Sequence, residues 1–126
     1  MGSAMRRVLI VDDEEDLGLS LKIVLERNGF STDYYTSSVL ALKNFKSGMY
    51  DLVILDIKMP DINGFELYNC FKSIDTEIKT LFLSAVSSLE CYGTKPKVDA
   101  KEGETHFARK PIRNHDLIEI VNSMTN

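Results

Sequence analysis

Three apolar runs govern what this chain can become: Val8-Leu9-Ile10-Val11, Leu52-Val53-Ile54-Leu55 and Leu81-Phe82-Leu83. Each is too short for a helix and lacks the polar–apolar alternation of a half-exposed strand. Such runs suit strands buried on both faces of a parallel sheet. The stretches between the strand candidates each leave room for one helix. Parallel strands need that kind of crossover, and right-handed crossovers leave few topologies open.

Taken in order, the first strand is expected over residues 7–11. A helix follows with Leu17, Leu21, Val24 and Leu25 on one face, ended by Gly29. Residues 30–36 form a more polar strand suited to a sheet edge. Ser37 or Ser38 can cap a second helix with Val39, Leu42 and Phe45 inward and Gly48 at its end. After the third strand, residues 64–74 make a helix with Leu67, Phe71 and Ile74 inward. The fourth strand is 80–84 and the fifth 105–109. A last helix carries Leu117, Ile120, Val121 and Met124, with Asn114 as its cap. Gly93, Pro96 and Gly103 interrupt residues 87–104, so a fourth helix there is expected to be irregular. Five strands alternating with five helical segments predict a doubly wound α/β fold, (βα)5, in the flavodoxin-like order 2-1-3-4-5.

With 126 residues, the length fits a single domain. The opening Met-Gly-Ser-Ala-Met, residues 1–5, reads as a cloning scar, leaving 6–126 as the domain. The sequence stops just after the last helix, so no output domain is expected. The net charge of −4 and the lack of a basic block speak against direct nucleic-acid binding. No apolar run reaches the length of a membrane span, and the expected location is a reducing cytoplasm, with Cys70 and Cys91 as idle thiols. His106 and His115 have no partner at ligand spacing.

The strand ends carry the chemistry. Asp12 and Asp13 follow the first strand and Asp56 ends the third. In the order 2-1-3-4-5 those strands are neighbours, and the crevice at their carboxyl ends is where ligands bind. Carboxylates brought so close repel unless a cation compensates, and an all-oxygen site with few carboxylates suits Mg²⁺. Ser84 ends the fourth strand and Lys110 follows the fifth, placing a hydroxyl and an ammonium at the same edge. Together these groups would stabilise charge on phosphoryl oxygens transferring to an aspartate.

The motifs VLIVDDEE, LVILDIKMPDINGFEL, LFLSA and ARKP, in that order from Arg6 to Asn126, resemble the receiver domain of two-component response regulators, the CheY-like family. The resemblance implies that Asp56 accepts a phosphoryl group from a sensor histidine kinase or phosphotransfer protein. It implies Mg²⁺ held by the side chains of Asp13 and Asp56 and the main-chain carbonyl of Lys58, with Asp12 acting through water. Ser84 and Lys110 would hold the phosphoryl oxygens, and Phe107 would be the switch aromatic. Lys110–Pro111 matches a peptide that is commonly cis in the family. The readout surface would be the fourth helix, fifth strand and last helix. Such a domain catalyses only its own phosphorylation and dephosphorylation.

Departures from the pattern matter too. The interval from Ser84 to Lys110 is longer than usual, and Phe107 lacks the hydroxyl of a tyrosine. Lys58 and Val86 flank the site where bulk hinders an attacking water, so slow autodephosphorylation is expected. Three alternatives stand beside this reading. A haloacid-dehalogenase-like phosphatase wants an acid where Lys58 stands. A flavin module wants a Ser/Thr/Gly-rich phosphate loop where the acids of 12–16 stand. A receiver-like interaction domain would signal without phosphorylation.

Overall fold

The computed structural model describes residues 5–85 and 103–126. Its elements are β1 (Arg7–Val11), α1 (Glu15–Arg27), β2 (Ser31–Tyr35), α2 (Ser38–Asn44), β3 (Leu52–Asp56), α3 (Gly64–Ile74), β4 (Thr80–Ser84), β5 (Thr105–Arg109) and α4 (Asn114–Thr125). The five strands form one parallel sheet in the order β2-β1-β3-β4-β5. This is the flavodoxin-like architecture. Four helices occur among the described residues; the irregular helix expected over 87–104 lies outside them except for Gly103 and Glu104. No helix among the described residues is long and apolar enough to cross a membrane.

Period-two alternation explains the unbroken apolar runs. Leu9, Val11, Val53 and Leu55 face α2 and α3, packing with Ala41, Leu67 and Phe71. Val8, Ile10, Leu52 and Ile54 face the other way, packing with Leu21 and Leu25 of α1 and Leu117 and Val121 of α4. Both faces of β1 and β3 are therefore buried, and no polar position can interrupt either strand before its carboxyl end.

The helices depart from expectation in instructive ways. The α2 helix ends at Asn44 rather than at Gly48, and its inward face is Ser38 and Ala41, with Phe45 just beyond. Val39 is 45% exposed, because the helical rotation carries it well away from the arc through 38, 41 and 45. Ser37 supplies the cap, its hydroxyl accepting from the Leu40 N–H at 3.2 Å. On α3 the buried arc runs through Gly64, Leu67, Tyr68 and Phe71. Ile74 falls at the margin of that arc and is 43% exposed. Asn114 is the first residue of α4 rather than its cap; Arg113 holds the cap position and makes no side-chain capping bond.

Candidate functional site

The register carries the acids together. Val11 of β1 pairs with Leu55 of β3, so Asp12 and Asp56 each follow directly on paired neighbours. Asp12, Asp13 and Asp56 each bring a carboxylate oxygen within 4.8 Å of the others. Asp12 and Asp56 are buried and Asp13 is exposed, so the group meets solvent at Asp13. At such separations two carboxylates repel by roughly 3 kcal/mol at an effective dielectric of about 20.

Lys110 supplies the opposing charge. Its main-chain N–H donates to the Ser84 carbonyl at 2.9 Å, which fixes where the side chain starts. The ammonium then lies 2.9 Å from Asp12 Oδ2, 3.1 Å from Glu14 Oε1 and 3.3 Å from Asp56 Oδ1. The Lys110–Pro111 peptide is cis. Burial lowers the lysine's pKa, but its hydrogen bond to Asp12 and the charges of Asp12 and Asp56 outweigh that, leaving it raised.

One ammonium does not neutralise the cluster. Burial, then the charge of Asp12, push the Asp56 carboxyl up to about 7, against the pull of Lys110. Burial also raises Asp12, even though it accepts from the Glu14 N–H at 2.9 Å and from Lys110. A hard divalent cation fits this donor set: the ligands are all oxygen, negative charge is in excess, and Asp13 is exposed to solvent.

The loop after β3 is held from two directions. The Gly64 N–H donates to the Ile57 carbonyl at 2.7 Å. A Cβ on Gly64 would lie 2.2 Å from the Asp56 carbonyl oxygen, so only glycine lets α3 begin this close to the acceptor strand. Asn63 and Glu66 then close a capping box, each side chain accepting from the other's main-chain N–H. Gly64, the Asn63–Glu66 box and Glu14 carry weight that the sequence reading did not give them. The spacing of Asn63 and Glu66 was a visible capping signal; the nearness of Gly64 to Asp56 was not.

A family model for the response regulator receiver domain matches residues 8–122. The chain belongs to the response regulator receiver family. It is 34% identical over 111 residues to the transcriptional regulatory protein RprY of Bacteroides fragilis, covering 88% of this chain and 45% of that protein. The chain thus spans less than half the length of that relative. It is 30% identical over 103 residues to sporulation initiation phosphotransferase F of Bacillus subtilis, covering 82% of this chain and 81% of that one. Among solved structures, the response regulator TrrA of Thermotoga maritima, in complex with Mg²⁺ and BeF, superposes with a TM-score of 0.74 at 32% identity. That match covers 95% of this chain and 99% of TrrA.

Within this receiver domain, Asp12, Asp13, Asp56 and Lys110 meet in one crevice. Ser84 ends the strand beside β3, at the same edge of the sheet, and is buried; its hydroxyl donates to the Ala85 carbonyl at 3.0 Å. The Lys58 side chain is exposed, two residues past Asp56. Phe107 sits mid-strand in β5, stacked on Phe82 with centroids 4.8 Å apart and 6.4 Å from Phe65. Val86 and Cys91 lie outside the described residues, and Cys70 is a free, half-buried thiol. His115 pairs with Glu119 at 3.5 Å on the exposed face of α4.

Proposed function

We propose that this receiver domain is a phosphoacceptor switch in which Asp56 takes a phosphoryl group from a sensor histidine kinase or phosphotransfer protein. The observation that carries this reading is the convergence of Asp12, Asp13 and Asp56 with the Lys110 ammonium 3.3 Å from Asp56 Oδ1. The match to phosphotransferase F and the Mg²⁺–BeF complex of TrrA support it. Ionised Asp56 attacks phosphorus in line; the bond from phosphorus to the donor's imidazole nitrogen breaks, and its electron pair leaves with the imidazole. Lys110 holds the oxyanion charge that builds on the transferring group.

Asp13 and Asp56 side chains with the Lys58 carbonyl would hold Mg²⁺, with Asp12 acting through water. Bound there, the ion supplies positive charge for the phosphoryl oxygens. The Ser84 hydroxyl turns from the Ala85 carbonyl to a phosphoryl oxygen, and Phe107 moves into the space released. An existing two-state equilibrium is thereby biased, altering the surface around β5 and α4 that a partner reads. The domain acts as a catalyst only on its own phosphorylation and dephosphorylation, and a cytoplasmic site of action goes with this role. Incubation with acetyl phosphate and Mg²⁺ should label the protein, and Asp56→Asn should abolish the label. Undiminished labelling of that variant would refute the assignment.

A further inference from the structure

Tyr34 reads in the sequence as ordinary strand composition, yet it reaches the acid cluster from the edge of the sheet. It lies in β2 opposite Ile10, and its hydroxyl donates to the Asp12 main-chain carbonyl at 2.9 Å. The Glu14 carbonyl is a second, weaker acceptor at 3.5 Å. Its neighbour Tyr35 accepts from the Asp12 N–H at 3.2 Å. Both main-chain polar groups of Asp12 are therefore held by consecutive residues of β2.

The seat of the ring is cut into α1. A Cβ on Gly18 would lie 2.2 Å from Tyr34 Cε1 and Cζ. Glycine is a poor choice inside a helix, and Gly18 is buried with its N–H donating to the Glu14 carbonyl in regular helical fashion. Its missing side chain serves the ring, not the backbone.

The purpose of such a brace follows from charge. Asp12 and Asp13 repel each other and Asp56, and a free turn would let them spread. A neutral donor on the Asp12 carbonyl restrains the turn without neutralising any ligand. Outer-shell hydrogen bonds of this kind tune metal affinity by holding ligands in place.

We propose that Tyr34, seated on Gly18, is a positioning residue that preorganises Asp12 and Asp13 for a divalent cation. The inference rests on the Mg²⁺ reading of the site given above. Tyr34→Phe in the full chain keeps the ring and removes only the donor. Calorimetric titration with MgCl₂ should show affinity weakened about 3- to 10-fold, the net worth of one hydrogen bond. In metal-free protein, hydrogen exchange at the Asp12 and Glu14 amides, which donate to the Tyr35 carbonyl and to Asp12 Oδ1, should quicken by a similar factor.

Tyr50→Phe is the control, because it also loses a hydroxyl hydrogen bond, 2.6 Å to Asp33, but before the start of β3. It should bind Mg²⁺ as wild type does. Unchanged affinity in Tyr34→Phe, with wild type binding normally, would overturn the role of Tyr34 alone. Equal weakening in Tyr50→Phe would overturn it as mere loosening of the fold. A wild-type protein that binds no Mg²⁺ would remove both this inference and the site reading beneath it.

Discussion

Replacing Asp56 by asparagine should make the metal-free protein more stable, because the fold holds a charge there that it does not solvate. Asp56 is 5% exposed, and burial followed by the charge of Asp12 raises its carboxyl from 3.8 to about 7. Below 3.8 the folded and unfolded chains are both protonated at this position and it contributes nothing. Between 3.8 and about 7 the unfolded chain releases a proton that the fold retains, so stability falls as pH rises through that window. Each tenfold change in proton affinity is about 1.4 kcal/mol, which sets a ceiling of roughly 4 kcal/mol above the window. Water and side-chain relaxation soften buried charges, so about 2 kcal/mol is the expected gain at about pH 8. Urea unfolding followed by far-ultraviolet circular dichroism suits a chain without tryptophan. In chelator the Asn variant should exceed wild type at about pH 8 and converge to within about 0.5 kcal/mol at about pH 4. Excess Mg²⁺ should raise wild type and leave the variant nearly unmoved. A variant less stable than wild type at the higher pH, or a difference indifferent to pH, would refute the reasoning.

Gly64→Ala drives a Cβ to 2.2 Å from the Asp56 carbonyl oxygen and 2.8 Å from Ile57 Cα, both main-chain atoms that cannot swing aside. It should cost about 2 kcal/mol or more of stability and weaken Mg²⁺ binding; an unchanged unfolding midpoint would contradict this. Thr80 buries a hydroxyl with no hydrogen-bond partner among the described residues. Thr80→Val should therefore be neutral or stabilising by about 1 kcal/mol, and a loss of that size would show that the hydroxyl has a partner. With Lys58 two residues past the acceptor and its side chain exposed, the acyl phosphate should decay over minutes or longer in phosphate-release assays. A half-life of seconds would count against shielding by that side chain.

The site was legible where strand length alone dictates position. An apolar run buried on both faces can turn polar only at its end, on the carboxyl edge of the sheet. The order of strands then decides which ends are neighbours, so Asp12, Asp13, Asp56 and Lys110 could be placed together from their spacing. What escaped is set by surfaces meeting across the fold. Tyr34 sits in a polar strand, and nothing in Ser-Thr-Asp-Tyr-Tyr says its hydroxyl crosses to the Asp12 carbonyl, since that depends on an absent side chain in α1. Val39 and Ile74 were expected inward by apolarity, but a short helix is oriented by the whole surface it packs on, and Ala41 and Tyr68 lie nearer the centre of the buried arcs. Asn114 missed the cap by one residue because the extended turn of the backbone comes at Arg113.

The central claim is that one carboxylate, Asp56, receives the phosphoryl group. Protein phosphorylated by acetyl phosphate in Mg²⁺ can be trapped by borohydride reduction, which converts only an aspartyl phosphate to homoserine, and mapped by peptide mass spectrometry. Homoserine at position 56, absent when metal is chelated, is the predicted result. Homoserine at Asp12 or Asp13, or none anywhere in labelled protein, would contradict the account.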